Sequence, residues 1–281
     1  MRLGGPVFVK TDDPEELARA HRALGYRAAY CPDVTIEDAD RIRAIRTAYE
    51  KHDLKISEVG VWKNLMDPDT TKRKANIDAM KKGLALADEI GAQCVVNIAG
   101  SRNPTHWDGP HVDNMSEESY EMAIATAREI IDAVKPRRAK MTYEPMPHCI
   151  PDSPASYLRL IEAIDRPEFG VHMDACNFIN GTDRYLDTTS VIREAFEKLG
   201  AHIVACHLKD LTMDPSLATV HLDEVLVGTG VFDNATYLRE ITKLAQDPPV
   251  MLEHLKTEAE YTKAREYTVK LAAEIGVSLT E

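Results

Sequence analysis

Short apolar runs alternate with longer amphipathic stretches along nearly the whole chain, which is the pattern of a repeated strand and helix. The first run, PVFVKT, leads to DPEELARAHRALGY, where Asp13 before Pro14 predicts an N-cap with proline at the first helical position and Gly25 predicts the helix end. RAAYC then precedes TIEDADRIRAIRTAYEKH, and KISEVGVW precedes a helix from about Asp69 to Ile90, closed by Gly91. QCVVNIAG precedes SEESYEMAIATAREIIDAV, KMTYEPM precedes SPASYLRLIEAI, and GVHMDACNFI precedes VIREAFEKLG. HIVACHLKDL with ATYLREITKLA and PPVMLEHL with AEYTKAREYTVKLAAEIG complete the series. Eight strands, each followed by a helix, predict an α/β fold: a single closed (β/α)8 TIM barrel domain over residues 1–281. A doubly wound open sheet would carry a glycine-rich first turn, and PVFVKTDDPEE has none.

Three connections are longer than the few residues usual after a barrel strand: IAGSRNPTHWDGPHVDNM, NGTDRYLDTTS and TMDPSLATVHLDEVLVGTGVFDN. Their polar and aromatic residues predict a rim over the barrel mouth, the face on which strand C-termini and their loops meet.

The formal net charge of −12 repels phosphate backbones, and no basic run is longer than the KRK and PRR clusters, so nucleic acid is not expected as a partner. No apolar run approaches the roughly 18 residues of a membrane span, so no membrane partner is expected either. The five cysteines are odd in number and form no CxxC pair, which predicts free thiols and a cytoplasmic location.

Four of the predicted strands end in a hard metal ligand: MTYEP at Glu144, GVHMD at Asp174, IVACHLKD at His207 and VMLEHL at Glu253. In parallel strands these ends converge. Alternation places Thr142 with Glu144 and Met146, His172 with Asp174, and Ala205 with His207 and Lys209, leaving Tyr143, Met173 and Cys206 for the helix layer. Charges aimed into a closed barrel are costly unless paired or bound to metal. Three carboxylates and one imidazole suit one divalent ion, Mn²⁺ first, with Mg²⁺, Co²⁺ or Zn²⁺ as the other fitting ions.

A barrel with Glu, Asp, His and Glu on strands five to eight resembles the xylose-isomerase-like sugar phosphate isomerase/epimerase superfamily, which includes ketose 3-epimerases, inosose isomerases and dehydratases, and endonuclease IV. The resemblance is carried by the Glu-Pro dipeptide at Glu144, Asp174 in HMDACN, His207 in CHLKD, VGTGVFD from Val227 to Asp233, and Glu253, and it covers essentially the whole chain. It implies that Glu144, Asp174, His207 and Glu253 bind one divalent ion, and that Glu144 and Glu253 also act as acid and base on opposite faces of a ketose. The expected activity is isomerisation or epimerisation of a small sugar, keto-sugar or cyclitol by proton transfer through a metal-stabilised enediolate. Elimination of a β-leaving group by a keto-sugar or inosose lyase is the alternative, since both reactions begin with the same proton abstraction. Endonuclease IV chemistry needs a trinuclear zinc cluster with further histidines at early strand ends, where this chain offers Tyr30, Cys31 and Trp62. A small-molecule carbohydrate is therefore the expected partner, and the family's habit of forming dimers or tetramers makes a homo-oligomer compatible. One departure stands out: ketose 3-epimerases place a histidine three residues after the strand-six aspartate, and this chain has Asn177.

The candidate substrate contacts are Trp62, Asn64, His148, Asn177, Lys209 and His221. Trp62 and Asn64 offer a stacking wall and a hydroxyl contact, or rim packing. His148 shares the alternation of Glu144 but equally fits a solvated loop. Asn177 can orient a hydroxyl, Lys209 can neutralise an oxyanion or pair with Asp174, and His221 with Glu224 can close over the substrate. His172 fits a partner to a ligand better than a ligand itself. The VGTG turn lacks the spacing of a phosphate loop.

Overall fold

A computed structural model describes residues 1–280. Its strands are β1 (Leu3–Gly4), β2 (Ala28–Ala29), β3 (Lys55–Ile56), β4 (Glu58–Gly60), β5 (Cys94–Asn97), β6 (Lys140–Tyr143), β7 (Phe169–Met173), β8 (Ile203–Leu208), β9 (Asp210–Met213), β10 (Leu222–Val225) and β11 (Val250–Leu252). The helices are α1 (Pro14–Ala23), α2 (Ala39–Lys51), α3 (Thr70–Ile90), α4 (Glu117–Val134), α5 (Pro154–Ile164), α6 (Thr182–Leu186), α7 (Thr188–Leu199), α8 (Asn234–Thr242) and α9 (Glu258–Glu274). Nine strands form one parallel sheet in the order β3-β2-β1-β11-β8-β7-β6-β5-β4. The two ends of that order are separated in sequence only by Ser57. The third predicted strand thus closes the barrel, pairing with β2 through its first half and with β5 through its second. Among the described residues no helix is long and apolar enough to cross a membrane.

Local chemistry accounts for the helix ends. Asp13 caps α1 by accepting from the Glu15 amide, with Pro14 in the first turn. Asp69 accepts from Thr71 and Lys72 to open α3, and Gly91 closes it at φ 85°, a conformation that glycine adopts freely. Ser153 and Thr257 build capping boxes at the starts of α5 and α9.

Buried tyrosines from the helix layer tie down the strand ends that matter. Tyr237 of α8 places its hydroxyl 2.9 Å from both the Met173 and His207 carbonyl oxygens, next to two of the candidate ligands. In the same way Tyr157 of α5 donates to the Tyr143 carbonyl, just before Glu144. Tyr143 itself turns outward to donate to Ala123 of α4 at 3.0 Å, as its alternation predicts.

Three features differ from the sequence expectation. PVFVKT is not the first strand: the ladder sits at Leu3–Gly4, in register with Val250 and Met251, and Pro6 has no N–H to extend it. The connection after β8 holds an antiparallel hairpin, β9 with β10, rather than plain loop. The connection after β7 holds a 3-10 turn at Ala175–Phe178 and the short α6.

Candidate functional site

Three of the four candidate ligands stand one residue past a strand end: Glu144 after β6, Asp174 after β7 and Glu253 after β11. His207 lies inside β8, opposite Met251. Their ligand atoms all fall within 4.8 Å of one another. His207 Nδ1 is 2.9 Å from Glu253 Oε2, 3.4 Å from Glu144 Oε1 and 3.7 Å from Asp174 Oδ2. Asp174 Oδ2, His207 Nδ1 and Glu253 Oε2 are buried and engage in no aligned hydrogen bond. Three carboxylates and one imidazole converging on one point in this way are a donor set that fits an oxygen-preferring divalent ion.

Positive charge also reaches this point from the chain. Lys209, nearly fully buried, holds its ammonium 2.8 Å from Asp174 Oδ2, 2.9 Å from Glu253 Oε2 and 3.6 Å from Glu144 Oε1. Glu224 on β10 lies 3.4 Å from the same nitrogen.

Below the ligands, Glu58 of β4 joins two buried histidines. His207 Nε2 is 3.1 Å from Glu58 Oε1, and His172 Nε2 is 2.8 Å from Glu58 Oε2. The two imidazoles meet edge to face with centroids 4.1 Å apart. In the neutral imidazole, a carboxylate accepting from Nε2–H fixes the His207 tautomer and turns the Nδ1 lone pair toward the other ligands. Glu58 carries an essential geometric role that the sequence reading did not assign. The available signal was a carboxylate set in the middle of the strand KISEVGVW.

The site's electrostatics separate its two glutamates. Burial raises the Glu144 carboxyl above its ordinary value, and repulsion from Glu253 adds to the rise. Burial also acts upward on Glu253, but the charges of His207 and Lys209 outweigh it and bring the carboxyl down to about 2. Burial disfavours the charged form of His207, yet Glu253, Glu58 and Glu144 together hold it well above the usual imidazole range. Glu58 likewise stays well below the usual range because His207 and His172 overcome its burial.

A cavity of 520 Å³ opens above the ligands. Glu144, Glu253 and Lys209 form part of its floor, and Trp62, Trp107, His148 and Asn177 are among its walls. Asn177 Nδ2 donates to Glu144 Oε1 at 3.2 Å and to the Pro145 carbonyl at 2.9 Å, so it steadies the glutamate. His148 Nε2 lies 2.8 Å from the Asp108 carbonyl of the long loop after β5. A larger cavity of 600 Å³, lined by Leu24, Arg265 and Leu279 among others, lies at the opposite end of the barrel and contains none of the ligands.

Two candidates are placed differently from the expectation. Asn64 turns its amide into the fold, donating to the Ser101 carbonyl and accepting from the Met66 and Ser101 amides, so it organises the loop instead of meeting a hydroxyl. His221 is exposed beside Asp223 and does not line the cavity; Glu224 does. Trp107 and His254 also line the cavity and were not among the candidate contacts. His254, at φ 57°, is held 2.7 Å from Glu224 Oε2, and that hydrogen bond raises its pKa.

The VGTG turn is an internal structure rather than a phosphate cradle. Buried Asp210 accepts from the amides of Gly228 at 2.8 Å, Gly230 at 3.0 Å and Phe232 at 3.0 Å, so a carboxylate of the chain already uses these donors. A Cβ at Gly230 would stand 2.2 Å from the Leu211 carbonyl oxygen, which is why glycine occupies the position.

Known proteins share this architecture. The family model described as xylose isomerase-like TIM barrel matches residues 18–271. No curated protein matches the sequence significantly. Among solved structures, endonuclease IV from Thermus thermophilus superposes with a TM-score of 0.70 at 15% identity, covering 98% of this chain and 100% of that one. The apo form of 3-keto-D-glucoside 4-epimerase from E. coli gives 0.69 at 14% identity, covering 97% and 99%. A xylose isomerase-like TIM barrel protein from Mycobacterium smegmatis, in complex with magnesium, gives 0.67 at 18% identity, covering 93% and 88%. At these identities the likeness is one of fold.

Proposed function

Because the chain belongs to the xylose isomerase-like TIM barrel family, we propose that it is a divalent-metal-dependent isomerase or epimerase acting on a small sugar, keto-sugar or cyclitol. The observation that carries this reading is the convergence of Glu144, Asp174, His207 and Glu253 within 4.8 Å, with Glu144 and Glu253 reaching the floor of a 520 Å³ cavity. The named activity of the E. coli neighbour, epimerisation of a 3-keto-D-glucoside, belongs to the same reaction class.

Glu144, Asp174, His207 and Glu253 would hold the ion. When bound, it supplies Lewis-acid polarisation of a carbonyl, which acidifies the neighbouring C–H. The chain's own residues do the rest. Glu253, kept ionised by His207 and Lys209, accepts the proton at a carboxylate oxygen. Glu144, across the site, returns a proton to the substrate. Asn177 fixes the direction of the Glu144 carboxyl, and Lys209 balances the negative charge gathered on the floor. Trp62 and Trp107 flank the opening and present apolar faces to a sugar ring.

The test is proton exchange followed by NMR in D₂O. Mn²⁺-loaded protein is incubated with ketohexoses, inososes and 3-keto-glucosides beside a Glu253→Gln control. A stereoisomer deuterated at one carbon, absent in the control, is the expected result. Release of an aglycone or an enone would assign elimination instead, and exchange at no carbon of any substrate would reject proton-transfer chemistry.

A further inference from the structure

We propose that the substrate carries a second ring beyond the reacting sugar, and that this ring, a second sugar or an aryl aglycone, lies in a groove adjoining the cavity. This rests on the sugar-isomerase reading above. A second cavity of 430 Å³ shares two wall residues with the first, Trp62 and Trp107. Each volume falls within the roughly 300–1,000 Å³ of small-molecule sites. The candidate ligands Glu144 and Glu253 line the inner cavity, whereas Lys63, Asp67, Lys72, Ala75 and Asn76 line the outer one.

The border between the two is built from the only tryptophans in the sequence. Trp62 is 38% exposed and Trp107 is 43% exposed. A single exposed aromatic would be unremarked, but Trp62 is held outward against a backbone cost. Its φ is 46°, in the left-handed region that bulky residues avoid, and such conformations persist only where their surroundings enforce them. Buried Asn97 supplies that enforcement, accepting from the Lys63 amide at 3.1 Å and donating to the Lys63 carbonyl at 2.8 Å. Gly60 supplies the room, since a Cβ there would stand 2.5 Å from Trp62 Nε1.

An indole held in this way offers a flat apolar surface to an aryl ring or to the C–H face of a pyranose. The groove beyond it has mixed charge. The Lys63 and Lys72 ammonium groups form no ion pair among the described residues, and Asp67 lies in the same groove, which suits hydroxyl groups better than a compact anion. A one-ring substrate would fill the inner cavity and leave this groove empty.

The chain's emission at the tryptophan band reads only this border, so fluorescence titration is a direct test. Full-length Mn²⁺-loaded protein is titrated with D-fructose and methyl β-D-glucopyranoside as one-ring probes, and with cellobiose, sucrose and phenyl β-D-glucopyranoside as two-ring probes. At least one two-ring probe is expected to bind about tenfold tighter than either one-ring probe, equivalent to about 1.4 kcal/mol. Ala75→Phe, on the exposed face of α3 and lining only the outer groove, is expected to bring that affinity down to the one-ring value. Equal binding of both lengths, or a preference that survives Ala75→Phe, overturns the second-ring inference and leaves the sugar reading standing. Failure of every sugar to bind overturns both.

Discussion

Asp88 and Asp174 are both buried aspartates, and they are used in opposite ways. Asp88, near the end of α3 at the base of the barrel, accepts from the amides of Arg137, Arg138 and Ala139 at 2.9, 2.6 and 3.0 Å. Asp174, at the mouth, has no backbone donor on Oδ2, which faces the Lys209 ammonium at 2.8 Å, and it shares a 4.8 Å cluster with three other ligand side chains. Burial is therefore no guide to role; the state of the lone pairs is. A buried carboxylate held by backbone amides fastens one segment to another, whereas one whose oxygen faces a cluster of ionisable side chains is available to a ligand. Asp210 lies at the mouth but belongs with Asp88, because the VGTG turn already fills it.

Neutralising the mouth aspartate should have the largest effect. At a metal concentration 100 times Kd, the wild-type protein should gain about 2.7 kcal/mol of stability from binding. Asp174→Asn should gain none, as read by thermal melts with and without Mn²⁺. Glu58→Gln comes next: a lost outer partner typically weakens metal affinity 10–100-fold, and a Co²⁺-loaded sample should also show an altered visible spectrum because His207 loses its anchor. A spectrum and affinity equal to wild type would mean that Glu58 does not position the ligand.

The base aspartate should give the converse result. Asp88→Asn should cost about 1–3 kcal/mol of stability while leaving metal affinity unchanged. Burial opposes ionisation of Asp88, but its three backbone donors hold the folded pKa below the ordinary value. Its contribution is thus complete above the unfolded pKa, about 3.9, and disappears as pH falls through the depressed folded value. Wild-type and variant stabilities measured by denaturant titration should converge in that acid window. The smallest effect belongs to His221→Ala, which should stay within about 0.5 kcal/mol in stability and match wild type in metal binding, since this exposed side chain does not line the cavity.

Much of the barrel is legible in the sequence because the relevant signals are local. Asp13, Asp69 and Gly91 stand at the helix ends they predict, and the four candidate ligands each interrupt an apolar run at its close. Glu58 is not legible in this way. Its partners lie 114 and 149 residues further along, so the chain shows a charged residue in a strand without showing what receives it. Register is equally nonlocal: PVFVKT has the composition of a strand, but pairing with β11 fixes the ladder at Leu3–Gly4. Asn64 looks like a substrate contact beside Trp62 until its bonds to Ser101 and Met66, which depend on the loop's closed path, are seen.

Glu144, Asp174, His207 and Glu253 at the mouth are proposed to form one divalent-metal site. Calorimetric titration of Mn²⁺ into metal-free, full-length protein tests it most directly. One ion per chain, bound with micromolar or tighter Kd (about −8 kcal/mol), and no saturable binding to an Asp174→Asn/Glu253→Gln double variant are the predicted results. Absence of saturable binding to the wild type, or equal binding to the double variant, would rule out a single divalent-metal site at the mouth.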